Sequence, residues 1–182
     1  KYYEGYPMSD DIREALLNYV GNLLSHKACV IFEPEHLAKL LNIENGTLFS
    51  VVNGTAKFYR TFEIKKKSGG MREIRAPYQS LKKIQRWIYE YILKKQYVHG
   101  CAHGFRPRKS IVTNAKSHVE NKCLLKLDLK DFFPSIKINK VVQVFKDIGY
   151  TKTVSWILAT LCCLDEEIAR SEERFSRNAE TD

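Results

Sequence analysis

A two-residue alternation between positions 57 and 77 constrains the fold of this chain most strongly. From Phe58 to Ile64 the even-numbered residues share one face and the odd-numbered residues the other, which is the period of a β-strand. A Gly-Gly pair at positions 69–70 allows a tight turn, and the alternation then returns until Pro77. The pattern predicts a β-hairpin that carries five basic residues on its tip and returning strand: Lys65, Lys66, Lys67, Arg72 and Arg75.

The basic charge of the chain is concentrated around this predicted hairpin. The 182 residues have a formal net charge of +9, yet residues 57–110 alone hold 15 basic and 3 acidic residues. Residues 1–56 and 164–182 are both net acidic. Such a localised excess is typical of a surface that meets a polyanion. A solvated basic face explains the charge alone equally well.

The rest of the chain predicts helices. A Ser-Asp-Asp start at residues 9–11, and apolar residues recurring at helical spacing further along, mark their positions. Predicted helices begin after Ser9, at Pro34, near Thr47, after Ser80, after Ser110, at Asn139 and at Thr151. The helix capped by Ser80 is strongly amphipathic and has Lys82, Lys83 and Arg86 on or beside its polar face. Helices around a hairpin and a later strand predict the α+β class.

The later strand is predicted for residues 123–127, an apolar run that leads directly into Asp128. A carboxylate at the end of a buried strand, followed by a sharp turn and two phenylalanines, is a candidate ligand for a hard cation such as Mg²⁺. The alternative is that Asp128 caps a turn and Asp131 caps a helix, which this stretch alone favours. The basic hairpin shifts the balance, because a Gly-rich basic turn is suited to closing over a triphosphate.

Several classes of protein are disfavoured by the remaining residues. The five cysteines are scattered without a C-x-x-C spacing, which argues against a disulfide framework and a zinc site. Two histidines flank Cys101, at positions 99 and 103, but they lack a fourth ligand and are expected to be structural. No apolar run approaches the ~18 residues of a membrane span. A soluble protein of the reducing cytoplasm is therefore expected, with no membrane partner.

Successive motifs of the chain resemble the blocks of bacterial reverse transcriptases, in the same order and spacing. They lie at residues 59–77 with Lys-Ser-Gly-Gly-Met-Arg at the centre, 81–86, 103–107 with Ser-Ile at 110–111, and 127–136 with Leu-Asp-Leu-Lys-Asp-Phe-Phe-Pro-Ser-Ile. Residues 114–118, Asn-Ala-Lys-Ser-His, resemble the Asn-Ala-x-x-His block typical of retron reverse transcriptases, which copy a structured non-coding RNA into DNA. The resemblance spans about residues 35–163.

The resemblance implies a right-hand polymerase organisation. Residues 1–56 would be an N-terminal helical region, 57–122 the fingers, 123–163 the first part of the palm, and 164–182 a flexible acidic tail. Asp128 matches the palm aspartate that ligates both catalytic Mg²⁺ ions, and Leu129 matches the residue whose backbone carbonyl helps to hold the second ion. Phe133 matches the aromatic gate that selects dNTPs over ribonucleotides.

The resemblance and the charge pattern together assign two groups of binding residues. The dNTP group is Lys65, Lys66, Lys67, Arg72, Lys130, Asp131 and Phe133. The nucleic-acid group is Arg75, Lys82, Lys83, Arg86, Arg106, Arg108, Asn114 and His118. Tyr59 and Phe105 either stack on bases or belong to the core.

The implied partners are an RNA template, a DNA or RNA primer and dNTPs, with a retron non-coding RNA and an effector protein of antiviral defence as further partners.

One departure from the family matters. Neither a Pro-Gln-Gly type block nor a Tyr-x-Asp-Asp block occurs in the 182 residues. Two cations need several carboxylates, so this stretch by itself is expected not to polymerise DNA. The alternative is a non-catalytic RNA-binding module derived from the fingers.

Overall fold

A computed structural model describes residues 3, 5, 7–66, 69–129 and 132–164. The chain divides into two compact units: unit 1 holds residues 1–95 with 136–182, and unit 2 holds residues 96–135. The helices are α1 (Asp10–Ser25), α2 (Pro34–Leu41), α3 (Asn45–Asn53), α4 (Gln79–Tyr91), α5 (Ile111–Lys116), α6 (Phe132–Ser135), α7 (Ile138–Ile148) and α8 (Lys152–Cys162). The strands are β1 (Tyr59–Lys65) and β2 (Met71–Pro77). The helix-rich α+β class is confirmed.

The core of unit 1 is built by helices that bury one apolar face each. Its most deeply buried side chains come from every helix of the unit: Leu23, Leu37, Leu48, Leu81, Ile88, Phe145, Leu158 and Leu161. Helix α8 is buried along most of its length, from Val154 to Leu161. Helices α7 and α8 pack on each other, and α8 also contacts α2, α3 and α4. Helix α8 is therefore the element around which the others pack.

The turn between α7 and α8 shows why the chain changes direction there. Gly149 ends α7 with φ +112°, in the left-handed region that favours glycine. A Cβ at this position would lie 2.5 Å from Asn22 Nδ2 of α1, so any other residue would also have to displace the Asn22 amide. Thr151 then caps α8, because its hydroxyl accepts the Val154 N–H at 3.4 Å. The predicted starts of these two helices, at Asn139 and Thr151, are confirmed to within one residue.

The hydroxyls of two tyrosines, the half-buried Tyr19 and the buried Tyr150, hold the segment between α1 and α2. The Tyr19 hydroxyl donates to the Ile31 carbonyl, and the Tyr150 hydroxyl donates to the Cys29 carbonyl, each at 2.6 Å. Burial raises the pKa of Tyr19 to about 12 and also raises the pKa of Tyr150. Both hydroxyls therefore remain protonated donors at physiological pH.

Two buried threonines differ in how their hydroxyls are satisfied. Thr55 is 1% exposed, and its hydroxyl donates to the Val51 carbonyl at 2.9 Å. Thr160 is 0% exposed, and its Oγ1 has no hydrogen-bond partner among the described residues. A buried hydroxyl without a partner has lost its hydrogen bonds to water and forms none within the protein, which lowers the stability of the fold.

We therefore expect Thr160→Val to raise the free energy of unfolding by about 1 kcal/mol, because valine has nearly the same shape and no polar group to desolvate. Thermal unfolding followed by circular dichroism measures the change. The matched control is Thr55→Val, which removes a satisfied hydroxyl and should lower stability by about 1 kcal/mol. A destabilised Thr160→Val protein would contradict the account of this hydroxyl.

Unit 2 has little regular structure. Its described helices are α5 and α6, and none of its described residues is buried. The helix predicted to begin after Ser110 is confirmed, and Ser110 caps it: Ser110 Oγ accepts the Thr113 N–H at 3.2 Å, and Thr113 Oγ1 accepts the Ser110 N–H at 2.9 Å. No helix in the described part of the chain is both long and apolar enough to cross a membrane.

Two sequence predictions are wrong. The strand predicted for residues 123–127 does not form: residues 123–129 have no regular secondary structure, and Leu124, Leu125 and Leu127 are 70–80% exposed. A strand needs a neighbour for its N–H and C=O groups, and the β-pairing described in this chain joins β1 only to β2. Ser80 does not cap α4, because the helix begins at Gln79 and Tyr78 occupies the cap position. The predicted acidic tail lies outside the described residues from position 165 onward.

Candidate functional site

The basic hairpin of unit 1 is the first part of the candidate site. Strands β1 and β2 pair antiparallel, with Lys65 opposite Met71 and Tyr59 opposite Pro77. At the tip the Lys66 N–H donates to the Gly70 carbonyl at 3.0 Å. Gly69 and Gly70 have φ +89° and +81°, which L side chains rarely adopt. The glycines therefore close the turn that carries the lysines, as the sequence predicted.

The two faces of the hairpin differ in character. On one face Arg60 lies over the Phe62 ring at 5.6 Å from its centroid, and Ile64 follows along the same side. On the other face Glu63 lies opposite Glu73, a like-charge pair that is unfavourable. Arg75 offsets it, because its Nε donates to Glu73 Oε1 at 2.7 Å. This contact makes Arg75 the hairpin residue whose charge is most engaged within the described chain.

The predicted hairpin residues are described to different extents. Lys65 and Lys66 are exposed. The backbone of Arg72 lies opposite Ile64 in the pairing register, and its side chain is not described. Lys67 lies outside the described residues. Their predicted contacts with a triphosphate stay predictions.

Helix α4 presents the second basic surface of unit 1. Leu81, Ile84 and Ile88 face the core, and Lys82, Lys83 and Arg86 are exposed. Within the described chain these three side chains form no ion pair. Glu90 lies one turn beyond Arg86 but pairs instead with Lys94, with Lys94 Nζ 2.5 Å from Oε2. The α4 cations are thus available to an external anion.

Gln85, which the sequence did not mark as a functional residue, connects the hairpin with helix α4. Gln85 Nε2 donates to the Tyr59 hydroxyl and to the Leu161 carbonyl, each at 2.9 Å. The amide thereby joins the start of β1, the middle of α4 and the end of α8. Burial raises the pKa of Tyr59, and the ring packs against the core. A glutamine near the apolar face of an amphipathic helix was the available signal for this role.

The remaining predicted residues belong to unit 2. Arg106 donates from one guanidinium nitrogen to the Val98 and His99 carbonyls, at 3.1 and 3.3 Å. Arg108 has a left-handed backbone, with φ +61°. Asn114 lies on α5, and His118 follows its end. Arg106 therefore has a structural contact that the sequence did not indicate.

The structure bears on two alternatives: whether Phe105 belongs to the core, and whether His99 and His103 have a structural role. Phe105 is 92% exposed, so it is not a core residue within the described structure. The Cys101 N–H donates to His99 Nδ1, and His103 Nδ1 lies 3.1 Å from the Cys101 carbonyl oxygen. Both histidines contact backbone atoms of the intervening cysteine, which supports the structural role expected for them.

Asp128 and Leu129 are exposed in the irregular stretch of unit 2. Lys130 and Asp131 lie outside the described residues, and the Phe133 side chain is not described. The donors present, a carboxylate and a neighbouring backbone carbonyl, fit one Mg²⁺ ion that keeps water and substrate phosphates as its other ligands. The described residues contain no group of three or more His, Cys, Asp or Glu placed to hold a metal ion.

Comparison with known proteins identifies the family of this chain. A profile described as "Reverse transcriptase (RNA-dependent DNA polymerase)" matches residues 64–180, more than half of the chain. The match begins within β1 of the hairpin and continues through the segment that contains Asp128.

Retron reverse transcriptases are among the similar proteins. Retron Mx65 reverse transcriptase of Myxococcus xanthus is 43% identical over 105 residues, which cover 58% of this chain and 25% of that protein. Retron Ec86 reverse transcriptase of Escherichia coli is 39% identical over 112 residues, 60% of this chain and 35% of that protein. Retron Mx162 reverse transcriptase of M. xanthus is 37% identical over 131 residues, 70% of this chain and 27% of that protein. The matched part thus spans about a third or less of these relatives, and the chain belongs to the reverse transcriptase family.

Proposed function

We propose that this chain is the nucleotide-binding and template-binding part of an RNA-directed DNA polymerase. In this proposal residues 57–122 act as fingers and residues 123–163 as the first part of the palm. The substrates are an RNA template, a DNA or RNA primer and dNTPs. As the motif resemblance to retron reverse transcriptases implies, we propose a structured non-coding RNA as the template and an effector protein as a further partner.

One observation carries the proposal: unit 1 combines a basic hairpin closed by two glycines with a second group of cations, on α4, that form no ion pair among the described residues. Lys65, Lys66, Lys67 and Arg72 are proposed to bind the dNTP triphosphate. Backbone N–H groups at a glycine turn and a bidentate guanidinium are suited to phosphate oxygens. Lys82, Lys83 and Arg86 are proposed to contact the phosphates of the template.

The chemistry of the proposed reaction depends on Asp128. Its carboxylate, with the Leu129 carbonyl, would hold a Mg²⁺ ion, which when bound polarises the reacting phosphate and stabilises the leaving pyrophosphate. Lys130 and Asp131 are proposed to approach the triphosphate through their backbone amides, and Phe133 to exclude a 2′-hydroxyl. Because the 182 residues contain no Tyr-x-Asp-Asp block, we expect no DNA synthesis from this stretch alone.

The template contact can be tested on the chain itself. We expect Lys82→Gln, Lys83→Gln and Arg86→Gln together to lower RNA affinity on the order of 10²-fold near 0.1 M salt, because three phosphate contacts are lost. Fluorescence anisotropy with a labelled RNA hairpin measures this affinity. The matched control removes three exposed lysines of α7 and α8: Lys140→Gln, Lys146→Gln and Lys152→Gln.

Both triple variants remove the same charge from unit 1. If only the total positive charge mattered, both variants would therefore lose RNA affinity equally. Equal weakening would contradict a binding surface on α4. Circular dichroism checks that each variant is folded, and exposed substitutions of this kind change stability little.

A further inference from the structure

One flank of α1 exposes apolar side chains that unit 1 does not bury. Leu17 is 64% exposed and Leu24 is 60% exposed, whereas Leu23 of the same helix is 0% exposed. Successive residues of an α-helix lie about 100° apart around its axis, so Leu24 is beside the buried face rather than opposite it. Exposed leucines that continue the edge of a buried face are typical of a surface that contacts another protein.

These leucines belong to a row of four residues along α1 (Asp10–Ser25). The row consists of Arg13, Leu17, Val20 and Leu24, at intervals of four, three and four residues. Such spacing is that of the seam along which two helices of a coiled coil pack. The row, here called the α1 seam, spans about 17 Å of the helix.

The fold holds α1 through residues outside the seam. The Tyr19 hydroxyl donates to the Ile31 carbonyl at 2.6 Å, and Leu23 packs in the core. The Asn22 amide lies next to Gly149, at the end of α7. The seam is therefore presented by a helix that is already in place, and contact with a partner requires no ordering of its backbone.

The two ends of α1 carry charges of opposite sign. Asp10 and Asp11 lie in the first turn, and Lys27 follows the C-terminal end of the helix. The Lys27 N–H donates to the Leu24 carbonyl at 2.9 Å, which holds this lysine beside the last residue of the seam. An antiparallel second copy of α1 would place each acidic end next to a basic end, and the opposed helix dipoles would add to the attraction.

One antiparallel register satisfies the seam and the charges together. In that register the opposed pairs are Leu17 with Val20, Arg13 with Leu24, and Asp10 with Lys27. The aliphatic part of Arg13 would cover Leu24, and its guanidinium would lie near the last carbonyl groups of the second helix, which attract a cation. Because every pair occurs twice, the surface is complementary to itself, as a two-fold dimer requires.

A nucleic acid is a poor occupant of this surface. The first two turns of α1 hold three acidic residues, Asp10, Asp11 and Glu14, against a single arginine. That arginine, Arg13, pairs with Asp10 at 3.7 Å. A helix end with a net negative charge repels phosphate groups. Charge complementarity therefore favours a second copy of this chain over RNA.

We propose that α1 is a dimerisation helix, through which two copies of this chain associate by their antiparallel α1 seams. The residues proposed to bind RNA and dNTPs lie between positions 65 and 133, so this inference goes beyond the proposed function and does not depend on it. One helix pair buries less than the roughly 1,200 Å² of a standard interface, so we expect a weak dimer with a dissociation constant on the order of 10⁻⁵ M.

Sedimentation equilibrium at about 1 to 200 µM protein brackets this dissociation constant and measures the association. We expect mostly monomer at the lowest concentration and mostly dimer at the highest. The double variant Leu17→Gln and Leu24→Gln should raise the dissociation constant at least about 10-fold, because four apolar side chains leave the interface. The matched control is Phe49→Gln with Val144→Gln, which removes two exposed apolar side chains from α3 and α7 and should dimerise as the wild type does.

Charge reversal tests the register. Asp10→Lys alone sets lysine against lysine, and Lys27→Asp alone sets aspartate against aspartate, so each variant should dimerise more weakly than the wild type. Their equimolar mixture should dimerise more strongly than either variant by itself, because in the mixed dimer each lysine faces an aspartate. Circular dichroism checks that every variant keeps its helices.

Three results would overturn the α1 dimer: a wild type that stays monomeric up to the highest concentration, a leucine double variant that dimerises as the wild type does, and a mixture that associates no better than its components. RNA affinity, measured separately by fluorescence anisotropy, tests the proposed function whichever of these results is found.

Discussion

Replacing Asp128 with asparagine is expected to lower DNA synthesis by at least 10³-fold, on the order of the several kcal/mol that a metal ion supplies to such a transition state. Asparagine keeps the shape of the side chain and removes the negative charge that attracts a divalent cation. The assay is primer extension on an RNA template by a reverse transcriptase that contains these residues together with a Tyr-x-Asp-Asp block.

RNA affinity should be nearly unchanged in the same variant. Asp128 is exposed, and it forms no ion pair within the described residues, so its charge is not needed for folding or for the α4 surface. Unfolding free energy should change by no more than about 0.5 kcal/mol. Loss of synthesis with retained binding therefore separates a chemical role from a structural one.

Glu120→Gln is the matched control, because it removes the same charge from another exposed acid of unit 2. That variant should extend the primer at the wild-type rate. Synthesis that survives in the Asp128→Asn enzyme would remove Asp128 from the metal centre. If the wild-type protein of this assay binds RNA but makes no DNA, the result would favour the alternative of a non-catalytic RNA-binding module.

RNA affinity of the chain itself should fall on the order of 10³-fold between 50 and 200 mM salt. The expectation follows from about six phosphate contacts, each of which releases condensed counterions when it forms. The candidates for these contacts include exposed residues of unit 1 on the hairpin and on α4: Lys65, Lys66, Arg75, Lys82, Lys83 and Arg86.

The measurement is a titration of labelled RNA at several salt concentrations, with a neutral solute at equal osmolality as the control. A neutral solute does not change the free energy of counterion release, so the RNA affinity should stay nearly constant. In the α4 glutamine variant the slope should become shallower by about two to three, because three contacts are gone. A flat salt response in the wild type would contradict an electrostatic contact surface on unit 1.

Local signals predicted the elements of unit 1 well. Gly149 and Thr151 end one helix and begin the next through backbone geometry and a side-chain cap that a few residues determine. The hairpin likewise depends on alternation and on two glycines at its turn. These features act over short distances, so the sequence contains all the information that they need.

Features that depend on distant partners were not predictable in the same way. Residues 123–127 have the composition of a strand, but composition does not supply the neighbouring strand that would pair with them. Ser80 is a good cap residue, but the Tyr78 N–H is bound to the Phe58 carbonyl, and the first helical bond runs from the Lys82 N–H to the Tyr78 carbonyl, so the helix begins earlier. For the candidate site, the sequence predicted the exposed cations of α4 and missed Gln85, whose role depends on partners 26 and 76 residues away.

The Gln85 contacts also bear on the order in which unit 1 is assembled during synthesis. The hairpin and the α7–α8 pair are local, and local contacts form quickly because they close short loops. The bond from Gln85 to Leu161 joins residues 76 positions apart, and α8 supplies much of the core. On the ribosome, helices α1 to α4 therefore expose apolar faces until residue 161 has emerged, and this interval is when the nascent chain is most open to chaperones and to aggregation.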